Sequence, residues 1–220
     1  MISALTDTEL DYLLNFVGYG RLDANVWFIG MEEAGGGEDN IRKRLLFQQV
    51  EDCAEAHKIL GITKHHWGKR IIQPTWWGMC YVMLRLEGKA ADRESIRKTQ
   101  ADSLGRFNGS TLLCELMPIP KPSIGGWGYE DLIPQFESRK DYYQVVKPMR
   151  IEFLKNLIDE KRPEVVVCYG KKYWNDFQEL FGGMRFQLRN PFKVSKGNGM
   201  GILFINWLVS VAQRVKYMPS

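Results

Sequence analysis

The stretch NVWFIGMEEAGGGED, residues 25–39, runs from β-branched and aromatic residues into adjacent Glu32 and Glu33 and then into three glycines. Two carboxylates at the mouth of a buried strand suit a site that activates water or stabilises a developing positive charge. Gly30 and Gly35 share the spacing of a phosphate-cradling GxxxxGK[ST] loop, but Gly36 and Gly37 stand where its lysine and hydroxyl belong. The acids would also repel a phosphate. A second chemistry is open to the same segment: Glu32, Glu33, Glu38 and Asp39 could together hold Mg²⁺ or Mn²⁺, as in a metal-dependent α/β hydrolase. The plainest alternative makes the glutamates solvated loop residues and Gly35, Gly36 and Gly37 a turn.

Further along, ITKHHWGKRIIQPTWW (62–77) is basic and aromatic. Lys64, Lys69 and Arg70 beside Trp67 fit contacts to phosphates, with the indole wedging or stacking; a solvated loop is the alternative. NIRKRLL and LRNPFKVSKG add positive segments. The net charge of +4 and pI near 8.8 permit a polyanionic partner without requiring one. The four cysteines, Cys53, Cys80, Cys114 and Cys168, lie far apart with no CxxC pair, and the last two sit in apolar runs. That pattern argues against a metal cluster or a disulfide framework, so neither is expected.

The elements that must position these residues follow from hydrophobic periodicity. NVWFIG (25–30), STLLCELMP (110–118), EVVVCYG (164–170) and GILFIN (201–206) read as buried strands. Helical patterns lie between them: IRKRLLFQQVEDCAEAHKIL, TWWGMCYVMLRLEG, ADRESIRKTQADSL, VKPMRIEFLKNLIDEKR and KKYWNDFQELF, with TDTELDYLLNFV opening at a Thr6 cap. The alternation predicts an α/β fold: a three-layer α/β/α sandwich around a central, mainly parallel four-stranded sheet, with sites at the carboxyl ends of its strands. Nothing divides residues 1–220, so one domain is expected, with a long irregular segment over 118–140. The apolar runs fall short of a bilayer span and no basic-then-apolar leader opens the chain, so a soluble cytoplasmic protein is expected.

In order and spacing, FIGMEEAGGG, LLCELMPIPKPS and VVVCYGKKYWNDF resemble elements of the uracil-DNA glycosylase superfamily, over residues 25–206. The resemblance implies a DNA glycosylase that needs no cofactor, flips a damaged or modified base and hydrolyses its N-glycosidic bond. Glu32, two residues after Gly30, falls where that family orients water, and would stabilise oxocarbenium-like charge. Gly30 and Met31 would line the base pocket, and Trp77, among Trp76, Trp77 and Tyr81, would stack on the base. Glu115 falls at the base-reading asparagine; an ionised glutamate only accepts hydrogen bonds, which implies a cytosine or purine derivative over uracil. Slippage of the alignment, or a nearby cation pairing with Glu115, is the competing account. Lys121 and Ser123, among Pro118, Pro120 and Pro122, correspond to a rigid wall that clamps the DNA backbone. The family's late histidine has no counterpart, since the histidines are His57, His65 and His66; Asn206 takes its place as a neutral substitute. The missing histidine also leaves room for a glycosylase-like nucleic-acid-binding protein without turnover.

Overall fold

A computed structural model describes residues 3–121 and 127–182 with their side chains, that of Lys171 excepted, and the backbone of 202–206. Six strands form one sheet: β1 (Gly18–Gly20), β2 (Val26–Ala34), β3 (Val50–Glu51), β4 (Thr111–Lys121), β5 (Val165–Tyr169) and β6 (Ile202–Asn206), in the order β3-β1-β4-β2-β5-β6. The α/β class is as expected; the sheet is larger and more mixed. The centre, β4-β2-β5, is parallel, as is the short outer pair β1-β3, while β1 and β6 run antiparallel to their inner neighbours β4 and β5.

The three central strands bury both faces, which explains their unbroken apolar character. Trp27, Ile29, Leu112, Cys114, Val166 and Cys168 face a core completed by helices α1 (Asp7–Leu14), α6 (Arg139–Lys161) and α7 (Trp174–Leu180), with Ile41 of α2 (Glu38–Arg44). Val26, Phe28, Leu113, Val165 and Val167 face α3 (Cys53–Ile59), α4 (Pro74–Leu86) and α5 (Arg93–Asp102). Helices therefore cover both sides of the sheet.

Local chemistry fixes the helix ends. Thr6 and Glu9 form a reciprocal capping box on α1, with Glu9 N donating to Thr6 Oγ1 and Thr6 N donating to Glu9 Oε2. Ser138 caps α6, which closes at Arg162 in the left-handed region. The helix expected over 41–60 is instead α2 and α3 separated by β3, because Val50 and Glu51 pair with Gly18 and Tyr19 of β1. Tertiary pairing there overrides a helical pattern.

The segment expected to be irregular from residue 118 begins as strand, since β4 continues to Lys121. Its register with β2 shifts between Glu32 and Ala34: Glu32 pairs with Met117, but Ala34 pairs with Lys121. Pro118 and Pro120 have no N–H to give to a ladder, so the strand bulges where they lie. The acidic end of β2 sits against that bulge.

Candidate active site at the carboxyl ends of the central strands

Glu32 and Glu33 leave the end of β2 toward different partners. Glu32 Oε2 accepts hydrogen bonds from Arg139 Nη2 at 2.8 Å and from the Tyr143 hydroxyl at 2.9 Å, both on the first turns of α6. Its side chain is 9% exposed, and Oε1 is buried without a hydrogen-bond partner. Burial raises the carboxyl above its usual range, against the opposing pull of Tyr143 and Arg139. Glu33 pairs with the buried Arg44 of α2, which also donates to the Tyr19 hydroxyl. Burial alone would raise the Glu33 carboxyl, but Arg44 outweighs it and holds the group below the ordinary range.

The other two acids of the segment are also matched, Glu38 by Arg42 and Asp39 by Lys43. Each carboxylate thus has its own cation, and the divalent-ion cluster anticipated for these four acids is not what the fold builds. The same pairing occupies the cations of NIRKRLL; LRNPFKVSKG lies outside the described residues.

One row of the sheet is unusual. Gly30 pairs with Glu115 on one side and continues the register of Ile29 with Cys168 on the other, which brings Tyr169 alongside. Because Gly30 has no side chain, Glu115 reaches over it to accept a 2.5 Å hydrogen bond from the Tyr169 hydroxyl. A Cβ at Gly30 would collide with Glu115 Oε2 and the Tyr169 ring. Glu115 Oε2 has no partner. Desolvation, with Glu33 and Glu32 adding to it against Tyr169, pushes this carboxyl up to about 8. Glu115 is therefore protonated near neutrality, which corrects the ionised acceptor expected from the sequence. A neutral carboxyl both donates and accepts. Arg150 of α6 fixes the backbone beneath it, donating to the Glu115 and Leu116 carbonyls.

The loops flanking these groups are joined by Tyr129. Its hydroxyl donates to the Pro120 carbonyl at 2.7 Å and accepts from Gly37 N at 3.0 Å.

The remaining expected site residues are scattered. Met31 is buried in the core on the α6 side. Trp77 and Trp76 pack partly buried against the α4 side, and Trp76 stacks on His57 with ring centroids 5.3 Å apart. Lys64, Lys69 and Trp67 are exposed, whereas Arg70 is committed to Asp102 at 3.1 Å. Lys121 is no surface contact: it is 5% exposed, its Nζ has no hydrogen-bond partner, and it lies 5.9 Å from the centre of the Trp127 ring. Ser123 lies outside the described residues. Asn206 is at the wrong pole, because β6 runs antiparallel and sets it beside Val165, at the amino end of β5. A depression of about 390 Å³ between α4 and α5, touching Thr111, also lies at the amino end of β4 and away from the acids.

Comparison with protein-family models, curated proteins and solved structures finds no match.

Sequence reasoning missed Arg139, Tyr143 and Tyr169. The first two stand four residues apart on the face of α6 that meets Glu32, a spacing visible in the sequence; their meeting with β2 is not. It also set aside Cys53, His57 and His66, whose ligand atoms lie within 4.8 Å of one another.

Proposed function

We propose that the protein hydrolyses the N-glycosidic bond of a damaged or modified base in DNA, with Glu32 as its catalytic carboxylate. The observation that carries this reading is the asymmetry of Glu32. Arg139 and Tyr143 lock Oε2, while Oε1 is buried and keeps its accepting capacity unused. A carboxylate anchored by one oxygen holds the other ready to accept from a water molecule and to stabilise positive charge building on a sugar. The C1′–N bond breaks with its electron pair passing to the base, water adds to C1′, and the water proton ends on the departing base.

Glu115 supports the same assignment as a base reader of altered selectivity. In its neutral form it offers both a donor and an acceptor, so uracil is not disfavoured as an ionised carboxylate would require. Gly30 leaves the space in which Glu115 and Tyr169 meet, and so sets the position of that carboxyl. The exposed Lys64, Lys69 and Trp67 supply phosphate and stacking contacts.

The deciding experiment is release of free base from oligonucleotides that carry uracil and modified cytosines or purines, comparing wild type with Glu32→Gln. Loss of release in the variant supports the assignment. Equal release rejects the role of Glu32, and tight binding with no release from any substrate favours a binding module without turnover. With Asn206 at the far end of the sheet, no second catalytic group among the described residues stands in for the family's histidine, and this observation favours that second reading.

A further inference from the structure

Away from the acids, α3 and the loop that follows it assemble a different set of donors. Cys53 and His57 are four residues apart on α3 and share one helical face. The first turn that carries Cys53 is fixed by Asp52: Oδ1 accepts from Ala54 N, and Oδ2 accepts from Arg106 Nε and Phe107 N. The loop over 61–72 is folded back by Gln100 of α5, whose Nε2 donates to the His65 and Ile71 carbonyls, both at 3.0 Å. That closure presses the buried His66 against α3.

The outcome is three donor atoms around one point. His66 Nε2 lies 3.1 Å from His57 Nδ1 and 3.9 Å from Cys53 Sγ. A tetrahedral ion with bonds of about 2.0–2.1 Å to nitrogen and 2.3 Å to sulfur requires edges of about 3.3 Å and 3.6 Å, so these two edges are within about 0.3 Å of such a site, and all three donor atoms lie within 4.8 Å of one another. Both imidazoles are kept neutral by burial, His57 pushed down to about 3 and His66 to about 4. Trp76 stacks on His57 and sets its ring plane. His66 Nδ1, the ring nitrogen away from His57 and Cys53, is buried and makes no hydrogen bond. Ligating histidines commonly give that second N–H to a backbone carbonyl, which leaves Nε2 with its lone pair turned inward.

We infer that Cys53 Sγ, His57 Nδ1 and His66 Nε2 bind one divalent transition-metal ion, best matched by zinc, with a fourth position for water or another oxygen donor. One sulfur and two imidazoles select against Mg²⁺ and Ca²⁺, which take oxygen ligands. On binding, the Cys53 thiol loses its proton to solvent as the sulfur–metal bond forms; the histidines release none. The ion cross-links α3 to the loop that carries Lys64, Trp67 and Lys69, and so orders the exposed cationic surface.

Titration of metal-free full-length protein with Co²⁺ tests this without reference to base release. One equivalent should produce the visible absorption of tetrahedral cobalt and a near-ultraviolet sulfur-to-cobalt band, both abolished by added Zn²⁺. Cys53→Ser should lose the sulfur band. His66→Gln should bind Co²⁺ more than about 100-fold more weakly, beyond the 10–100-fold typical of losing an outer partner. Should either variant fail to fold, the wild-type spectrum decides alone. Absence of a saturable one-equivalent band, or a sulfur band that survives Cys53→Ser, overturns the site.

Discussion

Glu115 and Tyr169 are hydrogen-bonded to each other across an intervening strand, over the one residue of that strand, Gly30, that leaves room for the bond. Gly30→Ala therefore inserts a methyl group where a carboxyl and a phenol ring already sit. We expect the variant to be destabilised by about 1–3 kcal/mol, in the range of overpacked cores. Urea unfolding monitored by tryptophan fluorescence measures it, and unchanged stability would show that the two side chains swing aside at no cost.

The same pair sets a pH dependence. Above the ordinary glutamate pKa of 4.5 the unfolded chain gives up a proton that the folded chain keeps until about 8. Glu115 therefore contributes stability that is fully present at low pH and is lost as pH climbs through about 8. Glu115→Gln, which mimics the neutral acid, should flatten the fall of melting temperature between pH 4.5 and about 8, the window set by those two values. A wild-type profile as flat as that of the variant would refute the protonated state.

Tyr143 tunes Glu32. The phenol donates to the carboxylate and offsets part of the rise that burial imposes. Tyr143→Phe should move the acidic limb of the pH–rate profile for base release to higher pH, because the hydrogen bond that favours the charged carboxylate is lost. In the same assay Glu32→Gln should lower the rate by about 100-fold or more.

Arg44 is the structural counterpart of Arg139. It is buried and serves Glu33 and Tyr19 together. Arg44→Met strands the Glu33 carboxylate and should cost about 3–5 kcal/mol in chemical denaturation, whereas Arg44→Met with Glu33→Leu should recover much of that loss. No recovery in the double variant would mean that the pair is not the unit that matters.

Lys64 and Lys69 are exposed on the loop before α4. Reversing both to glutamate should weaken oligonucleotide binding and reduce the slope of log affinity against log salt by about 1–2 units, since each phosphate neutralised contributes about 0.7–0.9. An unaltered slope would place the nucleic-acid surface elsewhere.

The sequence made the central strands legible because residues buried on both faces form continuous apolar runs, as in β2 and β5. It concealed β1 and β3, which have three and two residues and owe their existence to pairing and not to composition. Strand direction is likewise invisible to periodicity, so GILFIN read as a strand while its antiparallel course, and with it the misplacement of Asn206, did not show. At the site, Glu32 could be picked out because it follows the apolar run of β2, and Glu115, which lies in the middle of β4, only through the resemblance to the glycosylase motifs. Their states could not, since the unpartnered oxygens and the raised carboxyl of Glu115 depend on Tyr169, Tyr143 and Arg139, which arrive from elements 54 to 111 residues away. His66 reaches Cys53 only through the closure of a loop onto α5.

Tyr129 has a mechanical consequence. Its single oxygen serves Gly37 beyond β2 and Pro120 near the end of β4 at once, so the two rims above the acids are pinned to one rivet. Neither can swing outward without shedding a bond that also steadies the other, and replacing the phenol with a bare phenyl ring would free both together.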